Sequence, residues 1–166
     1  IEDFAQVFGV YPEAKYRKAS YGNIATVLRA ETTDPDIAEF VRRLVFNALI
    51  GNADMHLKNW SLIYPDRRKA ALSPAYDFVS TIAYLPDAKA ALTFSRTKRF
   101  DGFSADELEH FASKTMLPKK LVLNTALQTV ELFHEHWPKE KKNLPMSAAV
   151  VKAIEEHVPR IPIAKG

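Results

Sequence analysis

Apolar residues recur every three or four positions over most of the chain, a spacing that predicts a mainly helical protein. The clearest example is residues 34–50. Their apolar positions form one continuous face: Ile37, Phe40, Val41, Leu44, Val45, Ala48 and Leu49. We expect Asp34 to be the N-cap and Pro35 the first helical residue, since proline lacks an N–H that the first turn leaves unbonded. Gly51 should end this helix, whose apolar face belongs in the core.

Further helices are predicted from shorter runs of the same pattern. Two lie near the start of the chain: an opening helix over residues 1–8 and a short helix near the end of residues 10–29. Three lie in its second half. One begins with a capping box at Ser104 and Glu107, a longer one runs from Pro118 until Pro138 stops it, and the last is capped by Ser147 and continues to Val158. Helix is therefore the dominant predicted element.

Residues 60–72 depart from the helical period. Apolar side chains alternate from Trp60 to Tyr64, residues 65–69 have the composition of a turn, and an apolar run returns at residues 70–72. Alternation interrupted by a turn predicts a short β-hairpin. The predicted fold class is accordingly mainly α, or α+β, with one small hairpin in a single domain.

Composition excludes several classes of function. The 166 residues are 47% hydrophobic and 26% charged, which is typical of a globular domain, and they include no cysteine. A disulfide scaffold, a cysteine-ligated zinc site, an iron–sulfur cluster and thiol catalysis are thereby ruled out. The net charge of +3 allows an acidic partner without requiring one. With no signal peptide and no membrane-spanning run in the sequence, we expect a cytoplasmic protein without membrane contact.

The positions of the glycines exclude one further feature. The five glycines, at positions 9, 22, 51, 102 and 166, are too far apart to form a G-x-G or G-x-x-x-x-G loop. This chain therefore cannot cover the phosphates of a nucleotide with a glycine-rich loop of its own.

The residues best suited to chemistry are concentrated in residues 50–59 and at Asp77. Asn59 follows Asp54 by five positions, and Asp77 follows it by 23. Phosphoryl transfer needs a carboxylate that accepts a hydroxyl proton, and two oxygen ligands that hold Mg²⁺ against the nucleotide phosphates. Protein kinases have the same order of Asp, Asn five positions later, short hairpin and second Asp. An isolated Asp–Asn pair usually marks a turn, but the helix before it and the hairpin after it favour the catalytic interpretation.

The four histidines outside residues 50–59 are not predicted to bind a metal ion. His134 and His136 flank Glu135, but two residues apart on a helix they point about 200° from each other. His110 and His157 lack sequence neighbours of the type that bind zinc. We therefore expect His134 and His136 to be polar surface residues, and we expect no zinc centre.

The chain resembles the C-terminal lobe of the HipA-like serine/threonine kinases of bacterial toxin–antitoxin systems. The most specific part of the resemblance is Gly51-Asn52-x-Asp54-x-His56-x-Lys58-Asn59 together with Pro74-x-Tyr76-Asp77. Weaker parts are Glu2-Asp3-Phe4-Ala5-Gln6 with Gly9, Lys15-Tyr16, Asn47-x-Leu49-Ile50 and Leu72-Ser73. The resemblance is good over residues 1–80 and extends over the rest only as a helical pattern.

The resemblance implies roles for individual residues. Asp54 is the implied catalytic base, and Asn59 and Asp77 are the implied Mg²⁺ ligands that also hold ATP, the phosphoryl donor. His56 either hydrogen-bonds a transferring phosphoryl oxygen or braces the loop. Lys58 either contacts phosphate or is solvated.

The resemblance also implies a fold, a reaction and partners. The implied fold is a protein-kinase-like C-terminal lobe over residues 1–166, with the hairpin carrying the Mg²⁺ site at one end and Asn52 fixing the loop backbone. The implied reaction transfers the γ-phosphoryl group of ATP to a serine or threonine of a protein, with an aminoacyl-tRNA synthetase as a candidate target. The implied biology is that of a toxin whose helix-turn-helix antitoxin brings it to DNA.

In a whole kinase, ATP lies between two lobes, and the phosphate-covering loop and a nucleotide-pairing lysine belong to the N-terminal lobe. We expect that lobe to be absent from this chain, which is either part of a longer protein or a natural stand-alone lobe. Two other functions stay open: a non-catalytic scaffold for an antitoxin–DNA complex, and a small-molecule kinase of the aminoglycoside or choline type. The intact Asp54, Asn59 and Asp77 argue against the scaffold, and the Pro-x-Tyr-Asp segment argues against the small-molecule kinase.

Overall fold

The computed structural model describes residues 1–11, 19–85 and 89–165, which form six α-helices and a three-stranded antiparallel sheet. In chain order the elements are β1 (Glu2–Asp3), α1 (Phe4–Val7), α2 (Tyr21–Glu31), α3 (Asp34–Ile50), β2 (Ser61–Ile63), β3 (Ala71–Leu72), α4 (Ala105–Thr115), α5 (Lys119–Glu140) and α6 (Ala148–His157). Short 3₁₀ turns lie at Leu57–Asn59, Phe100–Gly102, Val158–Arg160 and Pro162–Lys165. The prediction of a mainly helical fold with a small β component is confirmed.

Helix α3 packs against α2, α5 and α6, and its predicted apolar face is buried throughout. The helix begins one residue earlier than predicted, so Thr33 rather than Asp34 is the N-cap. Hydrogen bonds explain the shift, because the Thr33 N–H and hydroxyl both donate to the Asp36 carboxylate, at 3.3 and 2.9 Å. The same carboxylate accepts the Leu72 N–H at 3.0 Å, which fixes the start of α3 against β3.

The predicted hairpin is present, and a third strand extends it. Strand β2 pairs with β3, with Leu62 opposite Leu72, and β1 pairs with the other edge of β2, with Glu2 opposite Leu62. A strand of two residues is too short to show the alternation by which strands are recognised in a sequence. This is why β1 was not predicted.

The opening segment is therefore a short strand followed by α1, and the prediction of one helix over residues 1–8 is wrong. The Asp3 carboxylate accepts the Gln6 N–H at 2.9 Å, and the Gln6 side chain accepts the Asp3 N–H at 3.0 Å. This capping box sets the beginning of α1 at Phe4.

Helix α2 is longer than the short helix predicted near the end of residues 10–29. Its N-cap is Ser20, whose hydroxyl accepts the Asn23 N–H at 3.3 Å, while the Asn23 side chain accepts the Ser20 N–H at 2.9 Å. Asparagine stands where a capping box usually has Glu or Gln, so the signal is inconspicuous in the sequence.

The C-terminal helices have the predicted caps but differ in two details. Ser104 and Ser147 cap α4 and α6 by accepting N–H groups of their first turns. The side chain of Glu107, however, accepts N–H groups of residues 95–97 and so does not complete a capping box. Helix α5 also continues through Pro138 to its end, so the predicted stop is wrong. Pro138 lies in the last turn, where its fixed φ fits a helix and only one intrahelical hydrogen bond is lost.

One continuous hydrophobic core connects the helices, the sheet and the segment that precedes α4. Its centre is aromatic. Phe40 packs on Trp60 with ring centroids 4.7 Å apart, and Tyr21 stacks on Phe94 at 5.4 Å. In the part of the chain that the structure describes, no helix is both long enough and apolar enough to cross a membrane.

Two further sets of residues were singled out in the sequence, Lys15 with Tyr16 and the histidines. Lys15 and Tyr16, on which part of the family resemblance rests, lie outside the described residues. His134 donates from Nε2 to the Ala164 carbonyl at 3.0 Å, a contact that ties α5 to the C-terminal turn. Among the described residues, no three His, Cys, Asp or Glu side chains are placed to hold a metal ion.

Candidate active site

The candidate site begins where α3 ends, at Gly51. Gly51 has a φ of 66°, and its N–H donates to the Ala48 carbonyl at 3.2 Å, which closes the last turn of the helix. A Cβ at this position would lie 2.5 Å from Cδ1 of Ile82. Both the left-handed backbone and the close approach of Ile82 therefore require glycine. The chain leaves α3 in a fixed direction and enters residues 52–59.

Hydrogen bonds fold residues 52–59 into a compact turn. Asn52 Oδ1 accepts the Asp54 N–H at 3.0 Å. The Asp54 carbonyl accepts the His56 N–H at 2.8 Å and Asn59 Nδ2 at 2.9 Å. The Asn59 N–H donates in turn to the His56 carbonyl at 3.0 Å. The turn thus brings together three of the predicted site residues, Asp54, His56 and Asn59.

The core anchors this turn from one side. Met55 and Leu57 are buried, and the Tyr21 hydroxyl donates to the Met55 carbonyl at 3.0 Å. Burial raises the pKa of Tyr21 far above its usual range, so the phenol remains a neutral donor. The Asp54 side chain, by contrast, is 46% exposed. The Asp54 carboxylate therefore faces solvent, while the backbone that carries it is held by buried neighbours and a hydrogen bond from the core.

His56 and Lys58 have different surroundings although both belong to this turn. The His56 side chain is only 8% exposed, and its Nε2 lies 3.9 Å from Asp54 Oδ1. This distance is too long for a direct hydrogen bond but short enough for electrostatic attraction when the ring is protonated. Burial of the ring favours the bracing role of the two that the sequence left open. Lys58 is exposed.

Asp77 lies on the segment that follows β3, and two contacts hold this segment against the turn. Asn52 Nδ2 donates to the Asp77 carbonyl at 3.2 Å, and the Tyr76 hydroxyl donates to the Lys58 carbonyl at 2.8 Å. Lys58 and Tyr76 directly precede Asn59 and Asp77, so the two predicted Mg²⁺ ligands lie on adjoining segments. Asp77 has a φ of 59°, a left-handed conformation that aspartate adopts more readily than most residues.

The side-chain oxygens of Asn59 and Asp77 are of a kind that suits magnesium. The Asp77 side chain is exposed, and Asn59 uses its amide nitrogen on the Asp54 carbonyl, which leaves Oδ1 as its second polar atom. Carboxylate and amide oxygens are hard ligands of the kind that Mg²⁺ prefers, and Mg²⁺ commonly completes its shell with phosphate oxygens and water. The residues present therefore fit a magnesium ion bound together with a phosphorylated ligand.

One residue of this region has no counterpart among the sequence predictions. The Thr81 hydroxyl accepts the Ala53 N–H at 2.8 Å and donates to the Gly51 carbonyl at 3.2 Å. A single threonine 28 positions after its partner has no periodicity or spacing that would indicate such a contact. Only the fold brings them together.

A groove of about 440 Å³ lies between α3, α5 and residues 75–78. Its lining is largely aromatic and aliphatic, and it includes Phe46, Phe78, Leu132, Phe133, Trp137 and Leu144. Neither Asp54 nor Asp77 contributes to this lining. The groove therefore does not include the two aspartates of the candidate active site, although Phe78 directly follows Asp77.

Comparison with known proteins identifies the domain. Residues 1–137 match the family model of the HipA-like C-terminal domain. The chain is 60% identical over 162 residues to "Putative kinase Y4dM" of Sinorhizobium fredii, an alignment that covers 97% of this chain and 40% of that protein. It is 34% identical over 128 residues to "Putative kinase Y4mE" of the same organism, with 73% and 30% covered. The chain belongs to the HipA-like C-terminal domain family.

A solved structure shares the fold. The HipA of Shewanella oneidensis MR-1, determined in a toxin–antitoxin complex with HipB and operator DNA, is matched with a TM-score of 0.78 at 19% identity. The match covers 99% of this chain and 42% of that chain. The chain thus spans about two fifths of the length of this structure and of the Y4dM relative.

Proposed function

We propose that this chain is the C-terminal catalytic lobe of a HipA-like serine/threonine protein kinase. The observation that carries the proposal is the joining of two segments. Asp54 and Asn59 lie in one hydrogen-bonded turn, and Asn52 links this turn directly to the Asp77 carbonyl at 3.2 Å. A proton acceptor and two metal-binding oxygens on adjoining segments are the parts that phosphoryl transfer requires of this lobe.

The proposed reaction assigns one task to each group. The Asp54 carboxylate orients the acceptor hydroxyl and takes its proton as the oxygen bonds to the γ-phosphorus of ATP, while the bond from that phosphorus to the β,γ-bridging oxygen breaks and ADP leaves. Asn59 and Asp77 would hold Mg²⁺, which neutralises charge on the phosphate oxygens. Exposure of the Asp54 side chain supports its access to a hydroxyl on another molecule.

His56 and Lys58 are assigned supporting roles. The buried His56 ring braces the turn, and with its Nε2 3.9 Å from the Asp54 carboxylate it supplies a compensating charge when protonated. Lys58 is exposed beside the pair of proposed metal ligands, where its ammonium group can contact a phosphate.

The proposed partners follow from the family. We assign a protein substrate that carries the acceptor serine or threonine, with an aminoacyl-tRNA synthetase as a candidate, and a toxin role for the whole protein. The similar HipA structure contains HipB and operator DNA, which supports a helix-turn-helix antitoxin as partner and contact with DNA through it. A cytoplasmic location is consistent with these partners.

Two amide substitutions in the full-length protein test the proposal. Asp54→Asn should abolish phosphoryl transfer yet preserve Mg²⁺–ATP binding, because the amide keeps the shape of the carboxylate but cannot accept the proton. Asp77→Asn should weaken nucleotide binding only when Mg²⁺ is present, because it removes a charged ligand from a hard cation. Titrating ATP with and without Mg²⁺, alongside transfer of labelled phosphate, separates the two effects.

Asp34→Asn is the matched control, since Asp34 is exposed at the opposite end of α3 and should leave both measurements unchanged. Equal loss of ATP affinity in the Asp54 and Asp77 variants would contradict the assigned roles. Full activity in both would favour a non-catalytic scaffold, and transfer to a small molecule but to no protein would favour a small-molecule kinase.

A further inference from the structure

Two side chains that have no part in the proposed chemistry connect two segments. One is the turn of residues 52–59, which contains Asp54, and the other is the segment after β3, which contains Asp77. We infer that Asn52 and Thr81 are positioning residues, which together hold these two segments in the relation that metal-assisted transfer needs. The catalytic consequence of this inference rests on the proposed function, whereas the link between the segments does not.

Thr81 forms one side of the link with a single hydroxyl. Its oxygen accepts the Ala53 N–H at 2.8 Å, and its proton goes to the Gly51 carbonyl at 3.2 Å. The Thr81 N–H also donates to the Gly51 carbonyl, at 3.3 Å. Ile82, the next residue, packs so closely on Gly51 that no Cβ fits between them. The end of the Asp77 segment is thus fixed to the beginning of the Asp54 turn.

Asn52 forms the other side. It is only 1% exposed, and its Nδ2 donates to Asn47 Oδ1 at 2.9 Å and to the Asp77 carbonyl at 3.2 Å. Its Oδ1 accepts the Asp54 N–H at 3.0 Å. One amide group therefore contacts the backbone of both proposed catalytic aspartates. An aspartate here would lack the two donors, and a leucine would lack all three bonds.

The backbone of Asp77 explains why such a link is needed. Asp77 has a φ of 59°, and a non-glycine residue keeps this conformation only when its surroundings fix it. Tyr76 is fixed just before it, through its hydroxyl on the Lys58 carbonyl, and Thr81 is fixed four residues after it. If the link after Asp77 is lost, we expect the Asp77 backbone to leave this conformation and move its carboxylate, although every proposed catalytic group is still present.

The test uses the full-length protein with Thr81→Val, which keeps the shape of the side chain and removes the hydroxyl, and Thr81→Ser, which restores the hydroxyl. In Thr81→Val, hydrogen exchange of the Ala53 amide should accelerate at least about tenfold, as expected when a protecting hydrogen bond is lost. The Mg²⁺ concentration that half-saturates ATP binding should rise about tenfold, a typical effect of removing support behind a metal ligand. ATP binding without Mg²⁺ should not change, and Thr81→Ser should restore both values.

Thr129→Val controls for general destabilisation. Thr129 is buried and, like Thr81, donates its hydroxyl to a backbone carbonyl, that of Thr125 at 2.7 Å, but it lies in α5. It should lower the melting temperature without moving the Mg²⁺ requirement. Thr81→Ala, which removes both the hydroxyl and the γ-methyl group and introduces no new group, replaces Thr81→Val if the latter does not fold.

Unchanged exchange at Ala53 in the variant that lacks the hydroxyl would overturn the link itself. Faster exchange with an unchanged Mg²⁺ requirement would overturn the positioning role. If the wild-type protein neither binds Mg²⁺–ATP nor transfers phosphate, the proposed function fails and the positioning role fails with it. Exchange at Ala53 then still decides whether the two segments are linked.

Discussion

Gly51 both ends α3 and begins the candidate active site. It ends α3 with a φ of 66°, and its missing side chain leaves the space that Ile82 occupies. These are two separate demands for glycine, one from the backbone and one from packing. A second glycine, Gly9, has a similar φ of 59°, but a Cβ added there would meet no atom within 4 Å, so it carries only the first demand.

Gly51→Ala should therefore cost more stability than Gly9→Ala. The left-handed backbone costs about 1–2 kcal/mol for a non-glycine residue, and displacing Ile82 adds about 1–3 kcal/mol of overpacking. We expect a loss in the free energy of unfolding of about 2–5 kcal/mol for Gly51→Ala and about 1–2 kcal/mol for Gly9→Ala, measured by urea denaturation. Equal losses at the two positions would show that Ile82 moves aside at no cost.

At the same scale, the sequence is informative about the candidate base and metal ligands but not about the residues that support them. Asp54, Asn59 and Asp77 stand at a spacing that phosphoryl transfer makes meaningful, so they can be selected without a structure. The hydroxyl contacts of Tyr76 and Thr81 cross 18 and 28 positions of sequence, respectively. Such contacts depend on the packing of the whole domain, and local patterns do not contain them.

At the scale of elements, Glu107 joins α4 to the loop before it. Its Oε1 accepts the N–H groups of Ser95, Arg96 and Thr97 at 2.9, 2.7 and 3.2 Å, and its Oε2 accepts Arg96 Nε at 2.8 Å. Burial raises the pKa of the Glu107 carboxyl, but the hydrogen bonds from Arg96 and its neighbours outweigh burial and leave the pKa below its usual value. The ionised form is therefore preferred in the folded state.

This preference gives Glu107 a pH-dependent contribution to stability. Because the pKa is lower in the folded than in the unfolded state, the contribution is complete above the unfolded value of about 4.5 and is lost as the pH falls through the folded value. Glu107→Gln should lower the free energy of unfolding by about 1–3 kcal/mol at pH 7 and by progressively less below pH 4.5. Urea denaturation between pH 7 and pH 3 measures the difference, and Glu109→Gln, exposed on the same helix, is the control. A pH-independent difference would contradict the ionic role.

Elements were predictable where their pattern was long and their caps were of a common type. Helix α3 meets both conditions, and its face and end were predicted correctly, with an error of one residue at the cap. Strand β1 fails the first condition because it has only two residues, and α2 fails the second because its capping box uses asparagine. Pro138 misleads for a different reason, since proline breaks a helix in its interior but is tolerated in the last turn of α5.

At the scale of the whole molecule, the core is continuous from α1 to the C-terminal turn. We therefore expect residues 1–166 alone to unfold in one cooperative transition, as measured by circular dichroism in urea. The same chain should transfer phosphate from ATP at least about a hundredfold more slowly than the full-length protein, because it offers no glycine-rich loop to hold the phosphates. Turnover at the rate of the full-length protein would contradict this expectation, and unfolding in two steps would show that the core is not one unit.

The two tryptophans of the chain occupy unlike surroundings. Trp60 is 2% exposed and packs on Phe40 in the core, whereas Trp137 is half-buried, stacks on Phe133 and lines the groove between α3 and α5. Their fluorescence is consequently separable, since a soluble quencher such as iodide can approach Trp137 but not Trp60. In a Trp60→Phe variant the remaining emission comes from the groove alone. Binding of a molecule in the groove can then be detected without a label, as a shift in the emission wavelength of Trp137 and a change in its quenching by iodide.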